Sequence, residues 1–191
     1  DKAKSLPEIG EYMFFVNHDV SFRTGDNVFD MIIRRKTEYE ADYNKNVFIF
    51  GVEGTYQSPS PSVQMLTRFQ RGQFSKTLAV SEVSGFLFGI SVENFAHAGH
   101  LGYPLFDAKL NPCFYEELDM CLLTRKLREL ELEKNWINVI VPFIPYEHEF
   151  GLSTKNPKIT YIDWFCKGTN VQRIEVMWKI SANNKLYLEA K

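Results

Sequence analysis

The side chains of this 191-residue chain with the type and spacing to do chemistry are four histidines, three cysteines and several runs of acids. His97-x-x-His100, with Cys113 and Cys121 downstream, draws a zinc site of two imidazoles and two thiolates. Structural zinc sites bring their cysteines as close pairs, however. Cys121 falls on the apolar face of an expected helix, where a free cysteine behaves as a small hydrophobe. Glu147-His148-Glu149 follows Pro145 and offers acid–base groups around an imidazole. No nucleophile or glycine-rich loop accompanies it, so the expected role is a solvated turn. Nucleophilic chemistry from Cys113 with His97 or His148 needs a geometry that spacing does not specify. The sequence therefore assigns no catalytic, cofactor-binding or metal-binding residue.

The acids of Arg128-Glu129-Leu130-Glu131-Leu132-Glu133-Lys134-Asn135-Trp136 resemble a Nudix hydrolase box only in being clustered. Leu132 replaces one of the paired metal-binding glutamates and Asn135 replaces the glycine. Met120 and Phe114 stand where the upstream glutamate and glycine belong. A simpler pattern covers the same acids: Leu130 and Leu132 alternate with Glu129, Glu131 and Glu133, the two-residue period of a half-buried strand. No phosphate-cradling glycine loop and no G-x-S-x-G occurs.

The elements that must position these residues are mostly strands. The stretch Arg128–Leu188 reads as strands at Arg128–Glu133, Trp136–Ile144, Lys158–Cys166 and Val171–Ile180, with a short fifth at Lys185–Glu189. Ile174, Val176, Trp178 and Ile180 share one face of the fourth, whereas Trp136–Ile144 is an almost continuous apolar run, as expected where both faces are covered. Upstream lie a polar arm over 1–10, a strand at Tyr12–Asn17, a turn at Arg23–Asn27 and a strand at Val47–Val52. Periodicity leaves Val28–Arg34 open between strand and helix. Arg34-Arg35-Lys36, followed by Glu38, Glu40 and Asp42, reads as a solvated face. Gly54–Pro61 is a loop by composition. Phe74–Val80 and Phe86–Val92 are expected to pair, with Gly89 permitting close approach of a neighbour. Asn94–Pro112 reads as a long irregular segment, and Phe114–Leu127 as the one helix.

Composition bounds the function. A chain of this length with 45% hydrophobic residues can bury one core, so a single domain is expected. Twenty-two basic against 24 acidic residues give a formal net charge of −2, without the basic excess of a dedicated nucleic-acid-binding domain. Cys113, Cys121 and Cys166 lack framework spacing and point to a reducing compartment. No apolar run approaches the ~20 residues that span a bilayer. Asp1 in place of Met is expected from trimming or proteolytic processing.

The order of strands from Phe74 on, with Val141-Pro142-Phe143-Ile144 matching a V-P-[FWY]-[IV] motif and an aromatic-rich strand at Ile159–Phe165, resembles the later part of the jelly-roll of picorna-like virus capsid proteins. The resemblance implies a mainly β, two-sheet antiparallel jelly-roll sandwich with one helix in a long inter-strand excursion. It would be one domain over 1–191, with an N-terminal arm at 1–10 and a C-terminal extension at 181–191. The implied role is that of a structural, non-enzymatic subunit of an icosahedral shell, found in the virion and in host cytoplasm during assembly. Its partners would be other capsid chains and viral RNA on the inner face, with no membrane span and no cofactor. Two rival readings come from other classes. One is a soluble β-sandwich module that binds a ligand or protein. The other is an intracellular metal-dependent hydrolase using His97, His100, Cys113 or the Glu129–Glu133 acids.

Overall fold

Short runs rich in β-branched and aromatic residues form strands here, as their packing on a pleated surface favours. The computed structural model describes residues 10–23, 25–57, 66–103 and 116–149. The strands expected at Lys158–Cys166, Val171–Ile180 and Lys185–Glu189, the arm before residue 10, the extension 181–191, Cys113 and Cys166 lie outside the described residues. Among the described residues there are ten strands: β1 Tyr12–Val16, β2 Val20–Ser21, β3 Asn46–Gly51, β4 Gly54–Gln57, β5 Leu66–Phe69, β6 Leu78–Val80, β7 Glu82–Val83, β8 Leu87–Ser91, β9 Trp136–Ile140 and β10 Glu147–His148. Three helices accompany them, α1 Val28–Tyr43, α2 Val92–His100 and α3 Glu116–Leu130. By number of elements the described chain is mainly β, with three helices where one was expected.

Each helix has a local reason. In α1 the fully buried row is Val28, Ile32 and Lys36, one residue every four, with Met31 and Tyr39 partly buried beside it. Lys36 is not on the solvated face expected for it. Its ammonium pairs with Glu40 at 2.7 Å and lies 5.4 Å over the Tyr12 ring. Arg34 does face solvent, paired with Glu38 one turn on. Asn44, at φ 49°, closes the helix in the left-handed conformation that asparagine tolerates. The first part of the segment expected to be irregular is α2, started by Ser91, whose hydroxyl accepts the Asn94 N–H at 3.1 Å.

The α3 helix buries Met120, Cys121, Leu123, Thr124 and Leu127 and runs to Leu130, so Arg128–Glu133 is not a strand. Leu130 and Leu132, whose alternation argued for one, are 54% and 74% exposed. After α3 comes a single 3-10 turn at Leu132–Lys134, closed by Asn135 at φ 49°.

The five-stranded sheet has the order β1-β8-β3-β9-β6. Its neighbours are antiparallel except for β3 and β9, which run parallel. The β6 and β8 strands lie in the same sheet but do not pair as expected, because β8 sits between β1 and β3 while β6 pairs with β9. Gly89 in β8 does permit a close approach: a Cβ there would meet the Phe50 ring at 2.6 Å. Two smaller sheets, β5-β4-β7 and β10-β2, flank it.

Both faces of the large sheet are covered. On one, α1 supplies Val28 and Ile32 to a cluster with Val47, Phe50, Leu87, Val139 and Ile144. On the other, Ala98 of α2 and Met120, Leu123 and Leu127 of α3 pack with Phe48, Phe88, Ile90, Trp136 and Ile140. Strand β9 contributes to both clusters, as its continuous apolar run predicts. Among the described residues, no helix is long and apolar enough to cross a membrane.

Candidate functional site

Because β3 and β9 are adjacent and parallel, the chain leaves both at one edge of the sheet, at Val52–Gly54 and Val141–Tyr146. The crevice beyond the carboxyl ends of parallel strands is where open α/β sheets gather ligands. Glu53, two residues beyond β3, is 4% exposed. Its Oε1 accepts the Tyr146 hydroxyl at 2.7 Å and the Arg71 backbone N–H at 3.2 Å. Its Oε2 is buried with no hydrogen-bond partner. Burial first, and then the hydrogen bond to Glu53 and its charge, raise the Tyr146 phenol well above its ordinary range, so it stays protonated and donates.

Arg71 is presented by a turn. Gln73 N–H donates to the Gln70 carbonyl at 3.0 Å, and Gly72 takes φ 80°, a value that favours glycine. The guanidinium is fixed at two points: Nη1 donates to the Tyr146 carbonyl, and the planar group lies 5.3 Å over the Tyr146 ring. Arg71 borders a cavity of about 70 Å³ together with Arg23, Ser21, Phe22, Pro145 and Tyr146, and with the exposed Glu147. The wall nearest Glu147 is held by the β2–β10 pairing, in which Glu147 faces Ser21 and His148 faces Val20. His148 Nε2 lies 3.4 Å from Asp19 Oδ1, and its ring stacks on Phe86 at 4.1 Å. Neither the Arg23 nor the Arg71 guanidinium is paired with a carboxylate among the described residues. Two arginines thus border the cavity, the guanidinium of one of them held by Tyr146, and arginines so placed can take a carboxylate or phosphate group.

The opposite edge, at the amino ends of β3 and β9, is a polar cluster of another kind. Glu131 Oε2 accepts the Trp136 indole N–H at 2.7 Å and lies 2.9 Å from His97 Nε2, while Lys134 is 3.5 Å from Oε1. Arg128 donates to the Trp136 carbonyl and Asn94 to the Val47 carbonyl, each at 2.9 Å. Burial pushes the Glu131 carboxyl upward, but hydrogen bonds from Trp136 and His97 and the charges of His97 and Lys134 outweigh it and hold it below its ordinary range.

The residues singled out in sequence are largely dispersed. His97 pairs with Glu131, one helical turn from His100 in α2. Cys121 is buried, with Sγ accepting the Val83 N–H at 3.3 Å. Glu129 pairs with Lys126. Among the described residues no group of three or more His, Cys, Asp or Glu could hold a metal ion. Of Glu147-His148-Glu149, the two acids are exposed and His148 turns inward to Asp19. Sequence reasoning missed Glu53, Arg71, Arg23 and Asp19. The available signal for Glu53 was an acid directly after the apolar strand Val47–Val52, and for Arg71 its place before the turn glycine Gly72. No model of a known protein family matches the chain, and no curated protein matches it.

Proposed function

We propose that this chain is a ligand-binding module that takes a small anionic ligand in the cavity between Arg23 and Arg71, at the carboxyl ends of β3 and β9. The observation that carries the reading is that two arginines whose guanidinium groups are paired with no carboxylate among the described residues border one cavity, and that Arg71 is held there by Tyr146 and, through its backbone, by the buried Glu53. Holding Arg71 in position lowers the entropy cost of binding, as preorganised sites do. Glu53 and Tyr146 are positioning residues, behind the group that would touch the ligand.

The capsid role implied by the resemblance rests on strand order, and the described residues lend that order little support. Residues 128–130 end a helix, β6 and β8 do not pair, and β3 runs parallel to β9. The Val141-Pro142-Phe143-Ile144 motif, at the exit of β9, remains its basis.

Calorimetric titration of the full chain with inorganic phosphate and pyrophosphate tests the proposal. Saturable binding is expected, weakened at least tenfold in Arg71→Ala and reduced by added salt, since exposed charges are screened. Absence of binding to a folded chain, or equal binding by Arg71→Ala, contradicts it. A chain that sediments in a large particle with partner chains returns the capsid reading to first place.

A further inference from the structure

We infer that the ligand is a mononucleotide, its phosphate in the Arg23–Arg71 cavity and its base stacked on Phe143; this rests on the anion-site reading above. Phe143 has the features of a ligand-facing ring. It takes φ 60°, a left-handed backbone that bulky residues rarely adopt, and the residue is 60% exposed. Burial in the core therefore does not explain an aromatic residue at this position. Strained conformations of this kind, held by their surroundings, gather at ligand clamps. Buried Pro142 and Ile144 flank it and supply such surroundings.

Arg35 of α1 sets its guanidinium 5.7 Å from the Phe143 ring centroid and has no carboxylate partner among the described residues. A guanidinium over one face of an aromatic ring steadies the ring and leaves its other face to stack on the π face of a nucleobase, a sequence-tolerant contact. The platform is on the same side of the sheet as the cavity. Arg35 belongs to α1, and Phe22 and Tyr146, which border the cavity, pack in the cluster that α1 covers. Two residues, Ile144 and Pro145, lie between Phe143 and Tyr146, so the chain can hold the two no more than about 11 Å apart. A phosphate and base joined through one sugar can bridge a span within that limit.

The full chain is titrated with adenosine monophosphate and with ribose 5-phosphate, which differ only by the base. Adenosine monophosphate is expected to bind at least tenfold more tightly. Phe143→Asn, which keeps a residue that tolerates the left-handed turn, should bring adenosine monophosphate down to the ribose 5-phosphate level and leave ribose 5-phosphate unchanged. Phe143→Trp should restore the preference, and Arg35→Ala should lower it several-fold in a chain whose Phe143 is intact. Equal affinity of the native chain for the two ligands overturns the nucleotide inference while leaving the anion site standing. Failure of both ligands and of pyrophosphate to bind overturns the anion-site reading itself.

Discussion

The two ends of the β3–β9 pair carry polar clusters of similar make-up and opposite character. At the amino end, Glu131 is matched by Trp136, His97 and Lys134, and neighbouring side chains take up the carbonyls of Trp136 and Val47. At the carboxyl end, Glu53 keeps one buried oxygen without a donor, and the guanidinium groups of Arg23 and Arg71 are paired with no carboxylate among the described residues. A buried polar group left unsatisfied costs free energy that a fold under no other demand has reason to remove. The contrast teaches that having acids, a histidine and a tryptophan together is no mark of a site. The distinguishing feature is incomplete pairing around a cavity.

That contrast can be broken at either end. The largest loss of stability is expected from Glu131→Ala, which takes the acceptor from the Trp136 indole and the partner from His97 and Lys134. Chemical denaturation should show a cost of about 2–3 kcal/mol, with anion binding unchanged. Tyr146→Phe comes next, because it leaves Glu53 Oε1 with the Arg71 backbone N–H as its donor. Its expected cost is about 1–2 kcal/mol, with a modest loss of anion affinity. Arg71→Ala should shift the denaturation midpoint least of the three, by under about 1 kcal/mol for an exposed side chain, while it has the largest effect on binding. Stability and binding should therefore rank these variants in different orders. A single shared ranking would mean that both ends are structural.

Acid sharpens the comparison with the smallest effect. The Glu131 carboxyl is held below its ordinary range in the folded chain, so its contribution to stability is complete above the unfolded value of about 4.3 and is lost as pH falls through the folded value. Thermal melts between pH 7 and pH 3 should show the native chain losing more stability below about pH 5 than Glu131→Gln does. Equal pH profiles would show that the carboxylate is not held in this way.

The sequence was informative where one pattern had one structural meaning. Val47–Val52 and the start of Trp136–Ile144 are strands, the run at Trp136 is covered on both faces, and Gly89 sits where a ring comes close. It misled where two meanings competed. The Leu130 and Leu132 alternation has the strand period, yet α3 extends through Leu130 and both leucines stay exposed, because Arg128, Glu131 and Trp136 tie that segment by hydrogen bonds. Helix α1 was hard to read because its fully buried row of Val28, Ile32 and Lys36 includes a lysine. The candidate site was out of reach for a different reason. Glu53, Arg71 and Tyr146 are separated by 18 and 75 residues; the parallel pairing of β3 with β9 brings the segments of Glu53 and Tyr146 to one edge, and the β4–β5 pairing brings Arg71 to Glu53.

The central claim, that the carboxyl edge is the binding end, is tested most directly by backbone amide NMR during titration with pyrophosphate. Resonance shifts concentrated at Ser21–Arg23, Arg71 and Tyr146–Glu147, with Glu131, Asn135 and Trp136 unmoved, are the predicted result. Shifts centred on the Glu131 cluster, or no saturable shifts in a folded chain, would contradict the account.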